Sequence, residues 1–149
     1  MRDFIPIDEI LAWDPHTLHG RKGFSGREPY FEAHFPKYPV VPGTYLLEGL
    51  CECIRWWTEL RSDFAETVAV RGVKGAQFTR FVRPGDRVTL RVALQGEVDR
   101  LRTFWGECRV DGDVIGHATL TTSGMAVKDP AYAGHRCGVF RYLWHGPAE

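Results

Sequence analysis

Pro29, Pro36, Pro39 and Pro42 crowd the segment from Ser25 to Gly43. Each proline removes a backbone donor and restricts the residue before it, so this stretch can be neither a regular helix nor a central strand. Long irregular segments inside small domains are often functional. The segment also separates two kinds of pattern. Before it, Ile5, Ile7, Ile10, Leu11 and Trp13 lie in short apolar stretches broken at Asp14-Pro15. Phe4 to Phe24 therefore reads as two strands around a turn. After it, Leu46, Leu50, Ile54 and Trp57 recur at helical spacing, which predicts a helix from about Thr44 to Arg61. That stripe is core, and the bulky Trp56 and Trp57 are read with it. Glu48, Glu52, Arg55 and Glu59 share the opposite face, and such polar stripes are usually solvated.

Beyond the helix the period changes. Val68 to Phe81, Arg87 to Leu94, Arg100 to Val110 and Val114 to Thr122 are rich in Val, Thr and aromatic residues. Pro84-Gly85-Asp86, Gln95-Gly96 and Asp111-Gly112-Asp113 punctuate them. Four strands with tight connections read as an antiparallel meander. One long helix beside one antiparallel sheet gives an α+β domain in which the sheet wraps the helix. The last stretch holds Pro130, Gly134, Gly138 and Pro147, but also Phe140, Tyr142, Leu143 and Trp144. Those aromatics argue against a disordered tail. The chain is therefore divided into a domain at 1–124 and an extension at 125–149, packed on the domain or on a partner subunit.

With 149 residues, the chain fits one domain. Nineteen basic residues balance nineteen acidic ones, so no global field favours nucleic acid or an anionic membrane. No apolar run approaches the ~20 residues that span a bilayer. Met1 to Ile10 lacks the continuous apolar stretch of a signal peptide, and a cytoplasmic location is the default. Cys51, Cys53, Cys108 and Cys137 form no C-x-x-C pair, so free thiols are expected and no metal site.

Chemistry concentrates between His34 and Glu48. His34 sits in the proline-framed segment, Glu48 on the first turns of the helix, and Pro42-Gly43 marks the helix start between them. Eliminating water from a 3-hydroxyacyl thioester needs a base for the carbon acid beside the carbonyl, and histidine titrates in the right range. It needs an acid for the departing hydroxyl, a task for a carboxylic acid in an apolar pocket. The thioester oxygen gains negative charge, which a backbone N–H at a helix N-terminus stabilises. Each residue alone also fits a structural role, and spacing does not show that the two meet.

The run Pro29 to Pro36, with His34-Phe35-Pro36, then Pro39-Val40-Val41-Pro42-Gly43 and Leu47-Glu48-Gly49, resembles the signature of bacterial 3-hydroxyacyl-[acyl-carrier-protein] dehydratases. The likeness continues through Lys74 to Asp86, a strand leading into a Pro-Gly-Asp turn, and through Asp111 to Val114 followed by Ala118. It covers roughly Phe4 to Gly124, by the order of motifs and the positions of turns. The resemblance implies a hotdog fold, a sheet wrapped around a central helix. It implies a homodimer or trimer of dimers, with His34 of one subunit facing Glu48 of the other. It implies that His34 removes the C2 proton and Glu48 protonates the C3 hydroxyl. The acyl chain would arrive on the phosphopantetheine arm of an acyl carrier protein, or on coenzyme A, with no cofactor or metal needed. Pro42, Gly43 and Glu52 are the candidate oxyanion and substrate-binding residues.

The departures from that family are specific. Ala33 stands where the family commonly has glycine. Glu48-Gly49-Leu50-Cys51-Glu52 stands where it often has Glu-Ala-x-Ala-Gln, so Glu52 places a second carboxylate one turn from the first. The family's N-terminal helix has no evident counterpart, nor does Met125 to Glu149. These features suggest a specialised relative in a polyketide or other secondary lipid pathway. Two other readings stand beside the dehydratase: a hotdog acyl thioesterase using Glu48 or Glu52, and a non-catalytic acyl-binding subunit. Arg80, Arg83, Arg87 and Arg102 are candidates for a basic rim that meets an acidic carrier protein.

Overall fold

The computed structural model describes residues 6–25 and 40–146 of the chain. Among these, six strands and two helices follow one another: β1 (Glu9–Trp13), β2 (Thr17–Gly23), α1 (Gly43–Arg61), β3 (Glu66–Phe78), β4 (Arg87–Val98), β5 (Leu101–Val110), β6 (Asp113–Ala126) and α2 (Pro130–Leu143). All six strands join one antiparallel sheet in the order β1-β2-β4-β5-β6-β3. The two opening strands and the long central helix lie where the sequence places them.

The period-2 pattern explains which sheet face is inside. Val88, Leu90 and Val92 of β4, Phe104 and Cys108 of β5, and Ile115, Ala118 and Leu120 of β6 are buried in one cluster with Leu46, Leu50, Ile54 and Trp57 of α1. Burying each large side chain of this kind contributes about 1.5–3 kcal/mol. Trp56 and Trp57 are both core, as the helical stripe implies. Trp57 meets Phe104 edge-on with centroids 5.1 Å apart and donates its indole N–H to the Asp14 carbonyl at 3.2 Å. That bond ties the first hairpin to the helix.

Two sequence expectations need correction. The last four strands are not a simple meander. Only β4, β5 and β6 follow one another in space; β3 crosses to the far edge and pairs with β6. Strand patterning specifies which face is apolar but not which neighbour a strand takes. Gln95-Gly96 does not end a strand either. β4 runs on to Val98 with a register shift between Leu94 and Gly96, and the chain turns at Asp99, whose φ is 57°. Further shifts in β3, between Val70 and Gly72 and between Lys74 and Gln77, bend that edge.

The end of the chain forms an ordered helix. Asp129 caps α2 by accepting a hydrogen bond from the Ala131 N–H at 2.9 Å, and Pro130 takes the first helical position, where a missing N–H costs nothing. Val127 N–H bonds to the Ala65 carbonyl before the helix, and His145 N–H bonds to the Ile10 carbonyl after it, at 2.8 and 2.9 Å. α2 is thus fastened at both ends, and between them it lies over the polar stripe of α1.

Candidate active site

The start of α1 is held by the sheet. Val41 N–H bonds to the Val82 carbonyl at 2.7 Å, and Thr79 N–H bonds to the Ile115 carbonyl at 2.8 Å. These bonds bring the residues after β3 alongside the helix N-terminus. Between them lies a cavity of about 220 Å³, with Pro42, Gly43 and Leu46 on one side and Phe78, Thr79 and Phe81 on the other. The wall is mostly apolar. Pro42 is the N-cap and, among the described residues, no side chain caps the first N–H groups of α1, that of Gly43 among them. A partial positive charge therefore sits beside an apolar cleft, the setting in which a developing oxyanion is stabilised.

Pro42 and Gly43 line this cavity together. Glu48 stands on the following turn, exposed, and is not among the residues that line it. Leu46 points to the core, and a residue two positions on in a helix points to the opposite side. His34 and the rest of the Pro29–Pro39 motif lie outside the described residues.

Glu52 is one turn beyond Glu48 and only 8% exposed. Its carboxylate accepts a hydrogen bond from Arg136 Nη2 of α2 at 2.9 Å, and Arg55 Nη1 approaches at 3.4 Å. Glu59, two turns further, is fully buried and accepts from Arg136 Nε at 2.6 Å and from Tyr132 and Thr67 hydroxyls at 3.0 and 2.7 Å. The stripe that reads as a solvated face in sequence is thus divided: Glu48 is exposed, whereas Glu52 and Glu59 form a buried ion network under α2. Sequence spacing missed Arg136, Tyr132 and Thr67. The Asp129-Pro130 pair signals a helix start but not the surface that helix covers.

The charge at the cavity mouth is uneven. Arg80 and Phe81 line the cavity, Phe81 is 68% exposed, and Arg83 joins both in an adjoining hollow. Arg102 is engaged elsewhere: it bonds Glu97, lies 3.6 Å from Glu66, and stacks over Trp57. Among the described residues, no group of three or more His, Cys, Asp or Glu could hold a metal ion, and no helix is long and apolar enough to cross a membrane.

The chain is 34% identical to a 3-hydroxyacyl-[acyl-carrier-protein] dehydratase FabZ of Thioalkalivibrio sulfidiphilus over 133 residues, covering 84% of this chain and 89% of the relative. It is 32% identical to the FabZ of Xanthomonas euvesicatoria over 126 residues, covering 81% and 83%. Among solved structures, the dehydratase heterocomplex ApeI:P from Xenorhabdus doucetiae matches with a TM-score of 0.69 at 12% identity, covering 92% of this chain and 91% of that one. A Haemophilus influenzae thioesterase matches with a TM-score of 0.63 at 18% identity, covering 82% and 80%. At such identities the two structures establish the shared fold, the sheet wrapped on a helix expected of a hotdog protein. The FabA-like domain matches residues 2–119, a span that holds the proline motif, α1 and the cavity, and the chain belongs to this FabA-like family.

Proposed function

We propose that this protein eliminates water from a 3-hydroxyacyl thioester to give the trans-2-enoyl thioester. The observation that carries this reading is a helix N-terminus at Pro42-Gly43, without a side-chain cap among the described residues, opening on an apolar cavity in a chain one-third identical to curated dehydratases over most of both lengths. His34 acts as the base and takes the C2 proton. Glu48 acts as the acid and gives a proton to the C3 hydroxyl, which leaves as water. The C2–H and C3–O bonds break while the C2–C3 double bond forms. The Gly43 N–H holds the thioester oxygen as it gains charge, Pro42 shapes that wall, and Glu52 supports the helix that carries Glu48.

The exposure of Glu48 away from its own chain's cavity supports a homodimer in which each site takes His34 from one subunit and Glu48 from the other. The substrate arrives on the phosphopantetheine arm of an acyl carrier protein. Arg80 and Arg83 beside exposed Phe81 suit such an anionic partner. The dehydratase unit is residues 1–124, with 125–149 as its extension, and the enzyme works in the cytoplasm on fatty-acid or polyketide-type intermediates.

The test is turnover of 3-hydroxyacyl thioesters followed by enoyl absorbance. His34→Ala and Glu48→Gln are each expected to lose about 10²–10⁴-fold in kcat with the fold retained. Full activity in either variant, or release of free thiol in place of enoyl product, overturns the reading. Turnover of the carrier-bound substrate falls with added salt if charge guides docking, and Arg80→Glu with Arg83→Glu raises KM more than it lowers kcat.

A further inference from the structure

The polar stripe of α1 carries two carboxylates that the fold removes from water. Glu59 is fully buried and Glu52 nearly so. A buried carboxylate is costly unless it is paired and hydrogen-bonded. Both meet the same cation: Arg136 gives its Nε to Glu59 at 2.6 Å and its Nη2 to Glu52 at 2.9 Å. Glu52 and Glu59 are seven residues apart, two helical turns, so one guanidinium fork grips α1 along its length. The ring of Trp56 lies between them, with the Arg136 guanidinium 3.6 Å from its centroid. Phe140 packs on Trp56 from the same helix. Burial works against the Arg136 charge, but Glu52 and Glu59 outweigh it and hold the guanidinium above its ordinary value.

We propose that Arg136 is a positioning residue for the active site: from α2 it locks the rotation and depth of α1 through Glu52 and Glu59, and so fixes Glu48 one turn away. The proposal rests on the dehydratase reading of Glu48. Arg136 is not among the residues that line the cavity. Its effect passes through two carboxylates and one tryptophan face, all on the helix that carries Glu48. It also gives Glu52 a definite purpose. At this position the chain has a carboxylate, and the extension at its C-terminus supplies the matching cation. A lysine could not take its place, because an ammonium offers neither the planar fork nor the flat face laid on Trp56.

The experiment is a double-mutant cycle on the full chain with two readouts, dehydratase kinetics and hydrogen exchange of the α1 amides from 46 to 52. Arg136→Gln is expected to lower kcat about tenfold to a hundredfold with KM nearly unchanged, and to speed exchange in that segment. Glu52→Gln should do the same in smaller measure. The double variant should lose no more than Arg136→Gln alone, because both substitutions break one linkage. Arg136→Lys, which keeps the charge, should recover only part of kcat. Should Arg136→Gln fail to fold, Arg136→Lys decides the matter: wild-type kcat and exchange in that variant overturn the proposal. Additive losses, or an Arg136→Gln protein with unchanged kcat, overturn it as well. A wild-type chain without dehydratase activity but with the non-additive exchange pattern overturns the functional reading and supports the clamp.

Discussion

Phe78 shows how closely the cavity wall is specified. Its ring lies between two glycines: a Cβ added at Gly43 would stand 3.0 Å from Phe78 Cδ2, and one added at Gly116 would stand 2.4 Å from Cδ1. Gly116→Ala must therefore push the ring toward the cavity, at a cost of about 1–3 kcal/mol. We expect a lower melting temperature and a drop in kcat/KM that grows with acyl chain length, read from melts and a substrate panel. Gly49 is explained in the same way. A Cβ at this position would stand 2.7 Å from Leu90 Cδ1 and 3.2 Å from the Pro6 carbonyl oxygen. The cysteines follow from burial. The Cys51 thiol is pushed up to about 11 by burial and by the carboxylate of Glu48, and Cys108 is pushed up to about 12 by burial and Glu107. At about pH 8 both should resist iodoacetamide in the folded protein and react after unfolding, as mass spectrometry would report. The sequence identifies these residues, yet nothing in it says that two glycines far apart in the chain flank one phenylalanine.

The elements divide by how local their causes are. α1 is legible from its apolar stripe, because 3.6-residue periodicity over five turns admits few alternatives. The first hairpin is legible from Asp14-Pro15, where Asp14 accepts the N–H groups of His16 and Thr17. β3 is legible as a strand but not as an edge, because the partner that decides its place is β6, far along the chain. α2 has local cause only at its start. Asp129→Ala is expected to cost about 1 kcal/mol. For a chain of this size that lowers the melting temperature by about 2–4 °C. A fall in α1 amide protection should accompany it, since the cap and the Arg136 contacts belong to the same helix.

The whole molecule sets the strictest test of the proposed site. If His34 and Glu48 meet across a dimer interface, two inactive chains should complement each other. Mixing His34→Ala with Glu48→Gln after unfolding and refolding should restore about a quarter of wild-type sites, because half the dimers are mixed and each mixed dimer has one intact site. No recovery in mixed dimers that size and mass analysis confirm would place both residues in one chain.

By itself the sequence determined the α+β class, the long helix, the family signature and the residues proposed to react. All of these rest on local periodicity, turn chemistry or motif spacing, which act between residues close in the chain. Only the tertiary structure decided that β3 crosses to the far edge, that the last stretch forms a helix, and that Glu52 and Glu59 are buried beneath it. These depend on contacts between residues far apart in the chain, as with Glu52 and Arg136, 84 positions apart. Such contacts are set by how two faces fit and by the need to pair every buried charge. A polar stripe looks the same in sequence whether water covers it or an arginine from a distant helix does.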